Sequence, residues 1–143
     1  MSESDGSGYR ILGIDPGTKR IGLAISDPLG VTAQGLETFE VGKGIDFIDL
    51  LRDLVERYRV KVIVLGAPLA LGGKEIEGTE RSRRLAYRIR RQLGIEVVLR
   101  DERMTSLEAE RVLKDGRGMR NAGNVDRLSA VLLLQSYLDE KGT

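Results

Sequence analysis

Three carboxylates stand where chemistry collects in proteins that alternate strands and helices. Asp15 closes the apolar run Ile11-Leu12-Gly13-Ile14, just before Pro16-Gly17. Glu102 follows the run Val97-Val98-Leu99, and Asp126 opens the last helical stretch. Loops beyond the carboxyl ends of strands expose both backbone and side chains, and an acid at a helix N-terminus is favoured by the helix dipole. Taken singly, each acid has a structural use. Asp15 suits a turn, Glu102 sits among surface charges in Arg100-Asp101-Glu102-Arg103, and Asp126 suits a helix start. Gathered on one sheet edge they repel one another, and a cation has to hold them together.

The rest of the inventory decides which cation. The 143 residues contain no His, no Cys and no Trp. Ser-His-Asp and Cys-His nucleophilic catalysis are excluded, as are Cys/His zinc sites, His- or Cys-ligated haem, iron–sulfur clusters and disulfides. The remaining donors are oxygens, which suit a hard ion, Mg²⁺ or Mn²⁺. Carboxylates holding such ions activate water and stabilise the leaving oxygen in phosphodiester hydrolysis. With no imidazole to act as base, polarisation by the ion has to lower the pKa of the water largely alone. Asp15, Glu102 and Asp126 are therefore the candidate catalytic and metal-ligating residues.

The net charge is +1, from 23 basic and 22 acidic residues, but the average conceals a clustering. Six arginines and no acid lie between Arg81 and Arg91. A planar guanidinium suits phosphate, although such a run also reads as a solvated helix face. Candidate nucleic-acid contacts are Lys19, Arg20, Arg84, Arg88, Arg117 and Arg120. Aromatic residues are 4 Tyr and 2 Phe, too few for a stacking platform, so recognition by backbone shape is expected. Asp15-Pro16-Gly17-Thr18 lacks Walker A spacing, and no Gly-x-Gly-x-x-Gly follows a strand.

The elements that must position these groups follow from hydrophobic period. Strands are expected at residues 9–14, 20–26 and 33–41, then a helix at 45–58 and a buried strand at 60–65. A helix at 79–93 should bury Leu85, Ile89 and Leu93. A strand at 95–99 and a helix at about 105–114, capped by Thr105-Ser106-Leu107-Glu108, come next. The last helix, from about residue 125 to 139, should pack through Leu128, Val131, Leu132 and Leu138. The order β-β-β-α-β-α-β-α-α implies an α/β protein, a mixed five-stranded sheet with helices against it. No apolar run approaches the roughly 20 residues of a membrane span, and the polar start lacks a signal-peptide core. The expectation is a soluble, cytoplasmic protein with a disordered tail at 1–8 and a single domain at 9–140.

Four segments resemble the YqgF (RuvX) family, Holliday-junction-resolvase-like proteins regarded as pre-16S rRNA nucleases. They are Ile11 to Gly22 with Asp15-Pro16-Gly17-Thr18-Lys19-Arg20 at its centre, Gly66-Ala67-Pro68-Leu69 with Gly72, Asp101-Glu102-Arg103 with Thr105-Ser106, and Val125-Asp126 with the apolar run from Ala130 to Gln135. The resemblance implies a ribonuclease H-like fold and a divalent-metal site on Asp15, Glu102 and Asp126. It implies maturation of the 5′ end of the small-subunit rRNA precursor, with cutting of branched DNA as the alternative. A monomer would serve the first activity and a homodimer the second. Resolvases of the related RuvC group carry a further acid three residues after the one opening the last helix, and Ser129 stands there in this chain. That difference motivates a third reading, a nucleic-acid-binding assembly factor without catalysis.

Overall fold

A computed structural model describes residues 9–17, 19–67, 79–101 and 122–141. Its strands are β1 (Arg10–Asp15), β2 (Arg20–Ser26), β3 (Ala33–Gly35), β4 (Phe39–Glu40), β5 (Val60–Ala67) and β6 (Glu96–Asp101); its helices are α1 (Phe47–Tyr58), α2 (Thr79–Leu93) and α3 (Ala122–Lys141). The sheet order is β3-β2-β1-β5-β6, with β4 also pairing β2. β1, β5 and β6 run parallel, and β2 and β3 are antiparallel additions. The expected mixed sheet with packed helices is present, with six strands rather than five. Where one strand was expected at 33–41, β3 and β4 pair separately with the two ends of β2. The helix expected at 105–114 lies outside the described residues.

Period-2 alternation divides the core. Leu12, Ile14, Leu23, Ile25, Ile63 and Leu65 face one side, where Ile48 and Leu51 of α1 and Ala86 and Ile89 of α2 cover them. Ala24 and Val64 face the other side, where Ala130, Leu133, Leu134, Tyr137 and Leu138 of α3 pack. Two helices therefore lie on one face of the sheet and α3 on the other. α1 starts at Asp46, whose carboxylate accepts from the Ile48 amide at 3.0 Å, a standard N-cap. α2 is anchored by Ser82, whose hydroxyl donates to the Gly66 carbonyl at 3.1 Å. Among the described residues no helix is long and apolar enough to cross a membrane.

α3 departs from expectation in two ways. It begins at Ala122, so Asp126 occupies its second turn rather than its first, beyond the reach at which the dipole most favours an acid. Its buried side is Ala130, Leu133, Leu134, Tyr137 and Leu138, while Leu128, Val131 and Leu132 are only partly buried. The run Val131-Leu132-Leu133-Leu134 covers every side of a helix, so period alone could not choose the face. Polar ties choose it. On one flank Gln135 accepts from the Ala33 amide and donates to the Val31 carbonyl. On the other, Arg100 of β6 donates to the Ser136 hydroxyl and pairs with Glu140.

Glycines let α3 lie close. A Cβ on Gly13 would stand 2.9 Å from Leu134 Cβ, and one on Gly22 only 2.0 Å from the Asp126 carbonyl oxygen. The second contact is with backbone, which cannot swing away. Gly22→Ala should therefore lower stability by about 3 kcal/mol. Gly35→Ala meets the flexible Arg127 side chain instead and should cost about 1 kcal/mol. Thermal melts of the two variants test the ranking, and equal melting temperatures would contradict it.

Candidate active site

The carboxyl ends of the parallel strands meet at one edge. Ile14 of β1 is level with Leu65 of β5, and Ala67 of β5 is level with Asp101 of β6. Asp15 ends β1 at that edge, opposite Gly22 on the antiparallel neighbour. Alternation puts Ile11, Gly13 and Asp15 on the α3 face of β1, and Arg20, Gly22 and Ala24 on the α3 face of β2. Gly22, the cross-strand partner of Asp15, is also the residue against which the Asp126 backbone rests. Strand register and one close helix contact thus bring the first and last candidate acids to the same corner, 111 positions apart in the chain.

Arg20 completes the corner. Its Nε donates to Asp126 Oδ2 at 3.1 Å, with the side chains 35% and 27% exposed. Burial pushes the Asp126 carboxyl above the usual carboxylate range, and the hydrogen bond and charge of Arg20 pull it back only in part. Desolvation wins over one half-exposed cation. Arg20, a candidate phosphate contact by residue type, has its Nε committed to the candidate acid Asp126. The available signal was its spacing: two residues before Gly22 on one strand, Arg20 must share that glycine's face.

The other candidates fall as follows. Lys19 is exposed at the turn between β1 and β2, and its carbonyl accepts from the Val41 amide. Arg84 and Arg88 lie on α2, across the sheet from α3, and do not join Asp15 and Asp126. Glu102, Arg117 and Arg120 lie outside the described residues. Ser129, where a RuvC-group resolvase carries an acid, is 2% exposed. Arg100, which the sequence offers only as one of a run of surface charges, ties the end of β6 to α3 through Ser136 and Glu140.

Among the described residues no three Asp, Glu, His or Cys side chains gather as a metal cluster; two of the three candidate acids, Asp15 and Asp126, are described. The donors at this corner are carboxylate oxygens. Burial raises the Asp126 carboxyl, a nearby cation would lower it again, and the Arg20 guanidinium already holds one of its two oxygens.

Residues 9–140 match the family model described as RuvX, Holliday junction resolvase. The chain belongs to the RuvX family. A relative from Koribacter versatilis, named "Putative pre-16S rRNA nuclease", is 43% identical over 144 residues, covering 99% of this chain and 94% of its own. One of the same name from Dictyoglomus thermophilum is 47% identical over 132 residues, covering 91% and 95%. Two solved structures share the fold. Thermus thermophilus RuvC in complex with a Holliday junction substrate has a TM-score of 0.56 at 16% identity, with 94% of this chain and 97% of that one covered. Fowlpox virus resolvase with Holliday junction DNA has a TM-score of 0.55 at 14% identity, with 94% and 99% covered. The RuvX chain therefore has the ribonuclease H-like resolvase fold expected from its sequence.

The Asp126 environment makes a pH prediction. A carboxyl whose pKa is raised in the folded state binds its proton more tightly folded than unfolded. Its ionised form is thus a liability at neutral pH, and the liability disappears as pH falls through the raised pKa towards the unfolded value. In chelator-treated protein, Asp126→Asn should melt at or above wild type at pH 7, and that advantage should shrink on acidification towards pH 4. Melting curves across that range test this; an advantage that grows on acidification would contradict it.

Proposed function

We propose that this RuvX chain is a divalent-metal-dependent nuclease that hydrolyses phosphodiester bonds in structured RNA and trims the 5′ end of pre-16S rRNA. The observation that carries this reading is the corner at the carboxyl edge, where Asp15 is paired with Gly22 and Gly22 touches Asp126. The names of the relatives supply the substrate. Residues 9–140 act as a single domain, and the cytoplasm, where rRNA precursors are processed in bacteria, is the proposed location.

Asp15 and Asp126 would hold Mg²⁺ or Mn²⁺, with Glu102 as a third ligand. When bound, the ion supplies a water of lowered pKa and stabilises the charge on the leaving oxygen. The chain's own residues do the rest. Arg20 fixes the Asp126 carboxylate through Nε and keeps it available in its ionised form, against the pull of burial. Lys19, at the exposed turn beside the same corner, together with Arg117 and Arg120, would contact phosphates flanking the scissile bond.

Branched DNA is the second reading, favoured by the family description as Holliday junction resolvase. A symmetric cut across a four-way junction needs two sites, hence a homodimer; RNA trimming needs one.

Cleavage of a pre-16S rRNA fragment and of a four-way DNA junction, assayed side by side with Mg²⁺ or Mn²⁺, tests both readings. Asp15→Asn should lower metal-dependent cleavage by about 10²–10³ with an unchanged melting profile. Full activity in that variant would overturn the site assignment. Cutting of the junction alone would overturn the RNA reading.

A further inference from the structure

The outer face of α2 carries more charge than the carboxylates of the described residues neutralise. The helix has six arginines against one acid, Glu80, and it turns Thr79, Ser82, Ala86 and Ile89 inward. At about 100° per residue, Glu80, Arg84, Tyr87 and Arg91 form a stripe down the middle of the outer face. Arg83 stands on one flank and Arg81 and Arg88 on the other. Glu80 is already engaged by Arg84 at 3.0 Å, and Arg88 stands 3.7 Å from Asp46. Arg90 is turned back onto the Val97 carbonyl. Arg81 and Arg91 have no carboxylate partner among the described residues. In the middle, Tyr87 is 60% exposed, with the Arg91 guanidinium 5.8 Å from its ring centroid.

The occupant follows from what this surface lacks. Like charges at Arg84 and Arg88, and at Arg88 and Arg91, destabilise an isolated helix, so a polyanion would relieve a cost already present. A second copy seated symmetrically on the same face would bring arginine against arginine. Carboxylate side chains would answer the charge but offer the ring of Tyr87 no extended face to stack on. RNA answers both, with phosphates for the forked guanidiniums and a base face for the tyrosine.

We propose that the outer face of α2 is a track for a single-stranded flank of the RNA substrate, with phosphates on Arg84 and Arg91 and one base stacked on Tyr87. Direction supports this. Ser82 anchors the start of α2 to Gly66, near the carboxyl end of β5. The helix then returns about 22 Å along the face opposite α3. The track begins near the edge that holds Asp15 and leads away from it without overlapping it. The identity of the ligand as RNA rests on the nuclease reading above.

The test is equilibrium binding of the full chain, without divalent metal, to an RNA stem with and without a single-stranded flank. Tyr87→Ala should weaken binding of the flanked stem about tenfold, and Tyr87→Phe should stay within about twofold of wild type. Arg84→Gln with Arg91→Gln should reduce the slope of log affinity against log salt by about 1.4, two single-strand phosphates' worth. The bare stem should respond to none of these changes. Wild-type affinity in all variants would overturn the proposal. So would Tyr87→Ala weakening polyglutamate as much as RNA, since that ligand has charge but no bases. Wild-type cleavage is scored in parallel. Cleavage with unaffected variant binding overturns the track and leaves the nuclease; variant binding losses with no wild-type cleavage support the track and overturn the nuclease.

Discussion

The contact between the second turn of α3 and Gly22 of β2 governs how the last helix seats on the sheet and what it brings to the strand ends. A hydrogen in place of a side chain lets a helix backbone rest on a strand where any Cβ would collide with the Asp126 carbonyl. Because Gly22 is also the cross-strand neighbour of Asp15, that one contact decides which acids can share a corner. Gly13 extends the same close approach along the helix, against Leu134. Side chains at these glycines would push α3 away from the sheet and Asp126 away from Asp15.

The energetics of the corner and those of the fold pull in opposite directions. Burial raises the pKa of Asp126, and Arg20 offsets only part of the effect. Functional groups that make the folded state less comfortable are expected at sites where chemistry is done. The opposite face shows the same pattern in weaker form: α2 carries six arginines and one acid, and like charges stand three and four residues apart on its outer side.

Much of the architecture was legible from period and punctuation. The bounds of α2 coincide with those expected, β2 has the expected bounds, and Asp15 closes β1 just before Pro16-Gly17. What was not legible has identifiable physical causes. Four consecutive apolar residues at 131–134 hide the buried face of α3, which polar ties from Gln135 and Arg100 select. The segment at 33–41 splits because β3 and β4 meet different ends of β2, and pairing at a distance leaves no local mark. Asp15 and Asp126 were identifiable as acids at element ends, whereas the bond from Arg20 to Asp126 spans 106 positions and depends on tertiary packing. Residue type alone suggested phosphate for that arginine.

The central claim is that Asp15 and Asp126 act as one site for one cation. Mn²⁺ affinity of the full-length chain, measured by titration for wild type, Asp15→Asn, Asp126→Asn and the double variant, tests it most directly. Two ligands of one ion should couple, so either single change should remove most of the affinity and the second should add little. Independent, additive losses, or undiminished Mn²⁺ binding in the double variant, would contradict the account.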